Sequence, residues 1–518
     1  MRKLWRFLFS RYFISAAVIL LELLGMAFLI SYAYDYSIYA FAVMVVLDVL
    51  LVISLINREA NPEYKVSWLV VVLLVPIFGG LLYFIFYSTR VSRSDAKLMR
   101  KIQNGLDFDE RTEMGDDATD TVFSLLKAED PSAAGKAFAI MNDDGSAAIF
   151  NQSVSEVFDS GEEMYKAMTA DLKEAKKYIF LEYFIIAEGV MWGGIHEILR
   201  EKAAAGIEVR IMYDDFGSMN TLPIKHIRVL EGEGIKCRRF GAITPRVSTT
   251  HNNRDHRKIM IIDGEIAYTG GINIADEYIN QKKRFGHWKD GGVRIFGDAV
   301  YGFLKLFLGL WDFDCKVVGS YGKYLEKQER NAISDGGYYI PFGSGPAPIY
   351  PRPVGKNVLL NLINQSEKYI YMTTPYLIID YDLTESLSNA AMRGVDVRII
   401  TPATADKRLI KLMTKSAYPA LLKSGVRIYE YTPGFIHEKS VCSDDKYALV
   451  GTINLDFRSL AHHYENAVWM YGTPSVLNLK DNFLATAAAS EEQSEPGARL
   501  TLAERIVRSL MRIFAPLL

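Results

Sequence analysis

Two short segments of the chain carry a histidine and a lysine at the same spacing. Lys258 follows His256 by two residues, and Lys439 follows His437 by two residues. In an extended segment, residues i and i+2 point to one face, so each imidazole would project beside an ammonium group. Such a pair suits a phosphate, because the ammonium neutralises its oxygens while the imidazole attacks phosphorus or passes a proton.

The similarity of the two segments extends beyond the histidine and the lysine. Both continue with an aspartate, a glycine and an asparagine at identical spacing, namely Asp263, Gly270 and Asn273, and Asp444, Gly451 and Asn454. The glycine would let backbone come close, and the asparagine would add an amide to the same pocket. One copy alone would most simply be a surface histidine and lysine on a strand. Two matched copies favour a functional interpretation.

Histidine attack on a phosphodiester needs two imidazoles in different protonation states. One must be neutral to attack, and the other must be protonated to donate to the leaving alkoxide. His256 and His437 supply this pair if the two segments meet about a pseudo-twofold axis. The groups expected to surround the phosphate oxygens are the two motif lysines and the two motif asparagines, Lys258, Lys439, Asn273 and Asn454.

The segments that precede the two motifs also resemble each other. Gly206–Arg210 reads GIEVR and Gly394–Arg398 reads GVDVR, and in both halves short apolar runs alternate with helical stretches. This alternation predicts βα units with mostly parallel strands. The long repeat indicates a duplicated α/β domain. We therefore predict a first domain over 147–340 and a second over 341–490, joined near the glycine- and proline-rich stretch 334–356.

The first ninety residues contain three apolar runs, Tyr12–Tyr32, Ser37–Ile56 and Trp68–Tyr87. Each is about as long as a helix that crosses a bilayer. Residues 1–90 are thus predicted to form a transmembrane segment of two to three helices, which implies a multi-pass protein of the cell membrane. The charged residues in the loops do not decide on which side the rest of the chain lies.

Two further segments flank the predicted domains. Residues 91–146 are polar and partly acidic, and we interpret them as a linker with one amphipathic helix. Residues 500–518 are predicted to form an amphipathic C-terminal helix. Its arginines share one face and its bulky apolar residues share another, which suits the surface of an anionic membrane.

Composition narrows the possible partners. The formal net charge of the 518-residue chain is −2, so no overall basic field points to nucleic acid. The 3 cysteines and the histidines show no metal-ligand spacing in the sequence. We expect neither a metal ion nor a cofactor.

Four stretches resemble the phospholipase D superfamily, and more closely the bacterial cardiolipin synthases. They are Arg254–Asn273, Trp288–Val300, Thr374–Tyr376 and Phe435–Ser459. The resemblance implies two duplicated phospholipase D-like α/β domains, related by pseudo-twofold symmetry, that build one active site. It also implies that transmembrane helices precede these domains.

The resemblance further implies roles for individual residues. It implies a covalent phosphohistidine, for which His256 is the favoured nucleophile and His437 the acid, although the symmetry of the motifs leaves this open. Asp263 and Asp444 would be more structural than catalytic. Each histidine would be oriented by an acid, and the two acids are Asp290 and Glu465. The sequence does not tell which acid serves which histidine.

The function that this resemblance implies is phosphatidyl transfer between two phosphatidylglycerols, giving cardiolipin and glycerol. The partners implied are an anionic phospholipid and the membrane, with no nucleic acid. The alternatives are a phospholipase D hydrolase or a phosphatidylserine-type synthase that uses the same site. A membrane-tethered nuclease is a further alternative, against which the balanced net charge argues.

Overall fold

The structure is a computed structural model of the 518-residue chain. It describes residues 24–25, 28, 34–58, 61–75, 79–80, 82–83, 91–110, 116–223, 225–242, 253–325, 333–494, 511 and 513. The chain divides into two units. The smaller comprises Met1–Thr89, Ile243–His251 and Leu502–Leu518, and the larger comprises Arg90–Ala242 and Asn252–Thr501.

Two helices of the smaller unit have bounds within its described residues, namely α1 (Tyr34–Ile56) and α2 (Pro62–Leu74). Helix α2 begins where the side chain of Asn61 accepts the backbone N–H of Glu63 at 2.9 Å, with a proline in the first turn. A small core joins the helices and is made of Leu55, Trp68, Val72 and Tyr83. Outside this core, many apolar side chains of α1 are exposed.

Only two of the three predicted apolar runs lie to a substantial extent within the described residues. Ser37–Ile56 lies within α1, and Trp68–Tyr87 begins in α2. Tyr12–Tyr32 lies outside the described residues except at residues 24, 25 and 28, and the predicted helix 500–518 lies outside them except at 511 and 513. Within the described part of the chain, no helix combines the length and the apolar character that a bilayer crossing requires.

In the larger unit, the segment predicted as a linker is helical over most of its described length. Its helices are α3 (Arg93–Glu110), α4 (Asp116–Glu129) and α5 (Pro131–Asp143). Met99, Ile102 and Leu106 recur at helical spacing and are buried in the main core. The segment therefore packs as part of the larger unit, whereas the sequence suggested a linker with one helix. The apolar stripe was not recognised in the sequence because acidic residues are frequent in the segment.

The described residues of the first half then contribute eight strands. They are β1 (Ser153–Phe158), β2 (Tyr178–Tyr183), β3 (Glu208–Asp214), β4 (Lys236–Phe240), β5 (Lys258–Ile262), β6 (Ile266–Gly270), β7 (His287–Lys289) and β8 (Gly292–Gly297). Its helices are α6 (Gly161–Glu174), α7 (Val190–Ala204), α8 (Asp215–Ser218), α9 (His226–Gly232), α10 (Val300–Cys315) and α11 (Gly322–Leu325), with a short 3₁₀ helix over Asp276–Ile279. Seven of the strands form one sheet in the order β1-β8-β6-β5-β2-β3-β4.

The second half repeats this plan. Its strands are β9 (Tyr338–Ser344), β10 (Tyr369–Thr373), β11 (Leu377–Ile378), β12 (Asp396–Pro402), β13 (Arg427–Tyr431), β14 (Gly434–Ile436), β15 (Ser440–Ser443), β16 (Tyr447–Gly451), β17 (Leu455–Asp456), β18 (Glu465–Tyr471) and β19 (Ser490–Gln493). Its helices are α12 (Val354–Gln365), α13 (Tyr381–Met392), α14 (Arg408–Lys423), α15 (Phe457–Ala461) and α16 (Pro474–Ala488). The large sheet has the order β19-β13-β12-β10-β15-β16-β18-β9.

The two large sheets have the same internal connectivity. The order β4-β3-β2-β5-β6-β8-β1 corresponds strand for strand to β13-β12-β10-β15-β16-β18-β9, and β19 is an addition at one edge. This correspondence agrees with the duplicated α/β domain predicted from the repeat. Because both histidine motifs lead into the equivalent strands β5 and β15, the duplication gives the two motifs equivalent places in the fold.

The expectation of mostly parallel strands is wrong for the motif strands. The pairs β2–β3, β3–β4, β10–β12 and β12–β13 are parallel, as βα units require. In contrast, β5 pairs antiparallel with β2 and β6, and β15 pairs antiparallel with β10 and β16. For the pairs β5–β6 and β15–β16 the reason is local: only three residues separate the two strands, so each pair closes as a hairpin.

Short backbone pairings join the two halves. Strand β14 of the second half pairs with β7 of the first, and Asp255 forms an isolated bridge with Tyr464. These two pairings lie immediately before His437 and His256, respectively. The main hydrophobic core also contains residues of both halves. The two halves of the larger unit are therefore held together at the positions where the histidines occur.

Candidate active site

Each histidine is anchored by a backbone hydrogen bond to the opposite half. The N–H of His256 donates to the carbonyl of Tyr464 at 2.9 Å, and the N–H of His437 donates to the carbonyl of Lys289 at 2.8 Å. Both histidines are buried, with exposed fractions of 7% and 8%. The two equivalent anchors hold the motifs at the junction between the halves.

The acids that orient the histidines are exchanged between the halves. Nδ1 of His256 lies 2.9 Å from Oε2 of Glu465, and Nδ1 of His437 lies 2.8 Å from Oδ2 of Asp290. Both carboxylates are fully buried. Each acid thus contacts the histidine of the other half, a pairing that the sequence left open. The bonds to Nδ1 direct Nε2 of each ring away from its acid.

The two histidine–acid pairs differ in their electrostatics. Burial lowers the pKa of His256 to about 3, although Glu465 acts in the opposite direction. Burial acts to raise the pKa of Glu465, but His256 and the hydrogen bonds to it lower that pKa below its ordinary value. Near neutral pH this pair is therefore a neutral imidazole beside a carboxylate, with the lone pair of Nε2 available.

In the second pair, the acid Asp290 keeps its proton up to a higher pH than Glu465 does in the first pair. Burial raises the pKa of Asp290 to about 6, against the lowering effect of Lys439. Burial, followed by Lys439 and Lys258, lowers the pKa of His437 well below its ordinary value. That Lys258 of the first motif acts on His437 of the second indicates that the two motifs share one electrostatic environment.

Both motif lysines are buried beside their histidines. Nζ of Lys258 donates to the carbonyl of His256 at 2.6 Å, and Nζ of Lys439 donates to the carbonyl of His437. Burial lowers the pKa of Lys258 to about 8 and that of Lys439 to about 7, while Asp290 and Glu465 act in the opposite direction. Two desolvated ammonium groups in one site form a strong attractor for a phosphodiester anion.

The two motif asparagines differ in their contacts. Oδ1 of Asn273 accepts the backbone N–H of Ile185 at 3.0 Å, and its Nδ2 donates to the hydroxyl of Tyr278 at 2.6 Å. These bonds fix the loop, so the substrate role predicted for Asn273 would depend on the one N–H that remains. In contrast, Oδ1 of Asn454 is buried and has no hydrogen-bond partner among the described residues.

The two motif aspartates have the same structural contacts in both halves. Asp263 accepts the backbone N–H groups of Lys176, Lys177 and Tyr178 at 2.7, 2.6 and 2.9 Å. Asp444 accepts the corresponding three N–H groups of Glu367, Lys368 and Tyr369 at 2.9, 2.8 and 2.9 Å. Each aspartate has a positive φ, 56° and 57°, at the hairpin turn after its motif strand. They fasten the starts of β2 and β10, and each lies at the end of its motif strand that is opposite to the histidine.

Aromatic side chains surround the two imidazoles. The ring of Phe184 lies 5.0 Å from that of His256, and the rings of Tyr278 and Trp288 lie 5.5 and 5.7 Å from that of His437. The sequence did not single out Phe184 or Tyr278. A signal was available, because Phe184 directly follows the strand that pairs with β5 and Tyr278 follows Asn273 by five residues.

His463 was also missed by the sequence analysis. Its ring lies 5.5 Å from that of His256, and its Nδ1 lies 3.6 Å from Oε1 of Glu465. His256 and His463 lie in different halves of the chain, so no local spacing indicates that they meet. The nearness of His463 to Glu465 in the sequence is the one signal that could have drawn attention to it.

Family models match both halves of the chain. A model described as "Cardiolipin synthase, PLD-like domain" matches residues 168–283 and 359–486. A second, described as "Phospholipase_D-nuclease N-terminal", matches residues 46–86. The first model includes both histidine motifs within its two matched ranges. The fold and the paired histidines thus define a phospholipase D-type protein with two such domains in one chain.

Relatives of known sequence extend over nearly the whole chain. A protein of Streptococcus mutans that carries no functional description is 39% identical over 479 residues, covering 90% of this chain and 99% of the relative. A cardiolipin synthase of Halalkalibacterium halodurans is 31% identical over 484 residues, covering 92% and 94%. The chain therefore belongs to the cardiolipin synthase family, and it is an enzyme of the phosphatidyltransferase class.

A solved structure supports the fold alone. The phosphatidylserine synthase of Haemophilus influenzae superposes with a TM-score of 0.53 at 16% sequence identity, covering 70% of this chain and 93% of that chain. This similarity agrees with the arrangement of two phospholipase D-like halves.

Proposed function

We propose that this enzyme transfers a phosphatidyl group from one phosphatidylglycerol to another, giving cardiolipin and glycerol through a phosphohistidine. The observation that carries the proposal is the exchange of acids between the halves, His256 with Glu465 and His437 with Asp290. An exchange of this kind supports a single centre with two imidazoles, which is what a two-step displacement at phosphorus requires.

In the first step, Nε2 of neutral His256 attacks the phosphorus of one phosphatidylglycerol while its Nδ1–H stays bonded to Glu465. The bond from phosphorus to the glycerol headgroup breaks. The His437–Asp290 pair supplies the proton that the departing glycerol oxygen takes up, and glycerol leaves. The phosphatidyl group remains on Nε2 of His256. The different pKa directions of the two acids support this choice of nucleophile.

In the second step, a headgroup hydroxyl of another phosphatidylglycerol attacks the phosphorus. His437 takes the proton of that hydroxyl, which restores the proton of the His437–Asp290 pair. The bond between phosphorus and Nε2 breaks, and its electron pair returns to His256. The two ammonium groups of Lys258 and Lys439 hold the non-bridging oxygens in both steps, where they stabilise the charge that develops.

We propose that membrane anchoring brings the lipid substrate to this site. Residues 1–90 would hold the protein in the cell membrane as a multi-pass segment of two to three helices, and residues 500–518 would lie on its surface. The exposed apolar side chains of α1, such as Phe41, Val46 and Leu50, support an apolar surrounding for this helix. The family match over residues 46–86 agrees with this proposal.

The function is tested by product analysis with the purified full-length protein in detergent micelles that contain phosphatidylglycerol. We expect cardiolipin and glycerol in equal amounts, because the second lipid hydroxyl and not water resolves the intermediate. Phosphatidic acid as the sole product would contradict transfer and indicate a hydrolase. Phosphatidylserine formed on addition of serine, or cleavage of DNA, would indicate the corresponding alternatives.

We expect kcat/KM to fall as the pH rises through the range of about 6 to 8. In the free enzyme, rising pH removes the proton held on Asp290 near pH 6, then that of Lys439 near 7 and that of Lys258 near 8. Each loss removes a proton that the first step needs or a positive charge that attracts the phosphodiester. A bound phosphodiester raises the pKa of both lysines, so the fall in kcat should occur at higher pH than that in kcat/KM.

The measurement is a pair of pH profiles on a short-chain phosphatidylglycerol, whose phosphodiester keeps its charge across this range. Asp290→Asn, which cannot hold that proton, should lose activity across the profile and should lack the fall near pH 6. A kcat/KM that stays constant from pH 6 to 9 in the unchanged enzyme would contradict the proposed protonation states.

A further inference from the structure

A third histidine, His463, stands beside the first histidine–acid pair. The rings of His463 and His256 are 5.5 Å apart, and Nδ1 of His463 lies 3.6 Å from Oε1 of Glu465. One donor atom of each of these three residues can be chosen so that all lie within 4.8 Å of one another. Within the described ranges of the chain, no other group of three histidine, cysteine or acidic residues has this spacing.

We infer that His256, His463 and Glu465 form an inhibitory binding site for a divalent transition-metal ion such as Zn²⁺. Two imidazoles and one carboxylate are a donor set that zinc prefers, and bonds of about 2.0–2.2 Å at tetrahedral angles put donor atoms roughly 3.3–3.6 Å apart. Measured from Oε1 of Glu465, Nδ1 of His256 lies 3.0 Å away, slightly closer than this range, and Nδ1 of His463 lies 3.6 Å away, at its upper end.

The surroundings of the three residues hold them in place. Oε1 of Glu465 accepts the hydroxyl of Ser459 at 2.6 Å, and Oε2 accepts that of Thr452. Such contacts orient a carboxylate ligand before a metal ion arrives. Both ring nitrogens of His463 are shielded from solvent and lack a hydrogen-bond partner among the described residues. Because buried polar groups are usually paired, a metal ion would satisfy a nitrogen that the protein leaves unused.

The charges around His463 also accommodate a cation. Asp214 and Asp456 both interact electrostatically with His463, in addition to Glu465. The ammonium group of Lys258 acts electrostatically on His256, so it would repel a metal ion bound to this imidazole. Glu465, Asp214 and Asp456 act against that repulsion, and the buried setting strengthens their attraction for a divalent ion. Arg254, 3.8 Å from Asp214, balances part of this negative charge.

A metal ion in this position removes the lone pair that attacks phosphorus. Coordination through Nδ1 of His256 shifts the imidazole proton to Nε2, whereas coordination through Nε2 uses the lone pair itself. In both cases no bond to phosphorus can form until the metal ion leaves. This inhibitory consequence rests on the proposed role of His256 as the nucleophile, but the binding of the metal ion does not.

The test measures metal binding without any substrate. Full-length protein in detergent is stripped with EDTA and titrated with Zn²⁺ against a chromophoric chelator, and Co²⁺ is added separately to record its visible absorption. We expect one high-affinity Zn²⁺ per chain and a Co²⁺ spectrum of tetrahedral type. His463→Gln should weaken Zn²⁺ binding by about tenfold or more, because one of three ligands is lost.

A matched control is His196→Gln. His196 also contacts a carboxylate, Glu233, at 2.6 Å, but it is not part of this group. We expect this variant to bind Zn²⁺ as the unchanged protein does. Failure of the unchanged protein to bind Zn²⁺ stoichiometrically, or equal affinity in the His463→Gln variant, would overturn the site.

A second arm adds Zn²⁺ to the phosphatidylglycerol assay. We expect inhibition that EDTA reverses, with the inhibitory concentration shifted in the His463→Gln variant by the same factor as its affinity. An enzyme that needs Zn²⁺ for turnover would overturn the inhibitory role. If the stripped protein binds Zn²⁺ through His463 but forms no cardiolipin under any condition, the proposed function fails while the metal site stands.

Discussion

Replacing His256 by alanine is expected to lower kcat/KM for phosphatidylglycerol on the order of 10⁴-fold or more, as removal of a catalytic nucleophile does in other two-step transferases and hydrolases. The imidazole is the group whose Nε2 lone pair is available near neutral pH, because burial lowers its pKa to about 3 and Nδ1 is bonded to Glu465. Without this imidazole, the proposed phosphohistidine cannot form and the first step lacks its nucleophile.

The measurement is the initial rate of glycerol release, normalised to the amount of folded protein. His196→Ala is the matched control, since this histidine also contacts a carboxylate, at 2.6 Å, and lies outside the site. We expect the control to keep at least half of the activity. A His256→Ala variant that retains more than about one hundredth of the unchanged rate would rule out His256 as the nucleophile.

The second large effect concerns His437, and it depends on the leaving group. With phosphatidylglycerol, His437→Ala is expected to lower kcat by about 10²–10⁴-fold, the usual contribution of a general acid. With a phosphatidyl ester of p-nitrophenol, the first step should stay close to the unchanged rate. The reason is that p-nitrophenolate departs as a stable anion and needs no proton from the His437–Asp290 pair.

The second step of this variant stays slow, because no imidazole takes the proton of the accepting hydroxyl. We therefore expect a burst of one p-nitrophenol per chain followed by slow turnover, with the phosphatidyl group retained on His256 and detectable by the mass of the protein after alkaline denaturation. His256→Ala should show no burst. A His437→Ala variant that is equally slow in the burst with both leaving groups would contradict the role of general acid.

Much of the candidate site could be predicted because its residues lie close to each other in the sequence, at a spacing that repeats. His256 with Lys258 and His437 with Lys439 each lie within three residues, and the repeat itself revealed two equivalent halves. The structural contacts of Asp263 and Asp444 agree with the role that the family resemblance implied. These features depend on short-range order along an extended segment, which a sequence records directly.

The features that escaped prediction depend on how distant segments meet. That Glu465 contacts His256, and Asp290 contacts His437, follows from the packing of one half against the other, which no spacing within a half encodes. His463 was missed for the same reason. The helices between residues 91 and 146 were largely missed because their charged residues outnumber the apolar residues of the stripe with Met99, Ile102 and Leu106. The antiparallel pairing of β5 with β6 was missed because the hairpin turn between them was not identified.

The exchange of carboxylates between the halves has a consequence for the origin of the chain. A single half, on its own, would hold a histidine without its acid and an acid without its histidine. An ancestor with one domain could have completed its site only by self-association of two copies about a twofold axis, each lending its carboxylate to the other. Fusion of the two copies would have freed each histidine to specialise, which an identical pair cannot do. The two acids do differ, a glutamate beside His256 and an aspartate beside His437, as such a divergence would leave them.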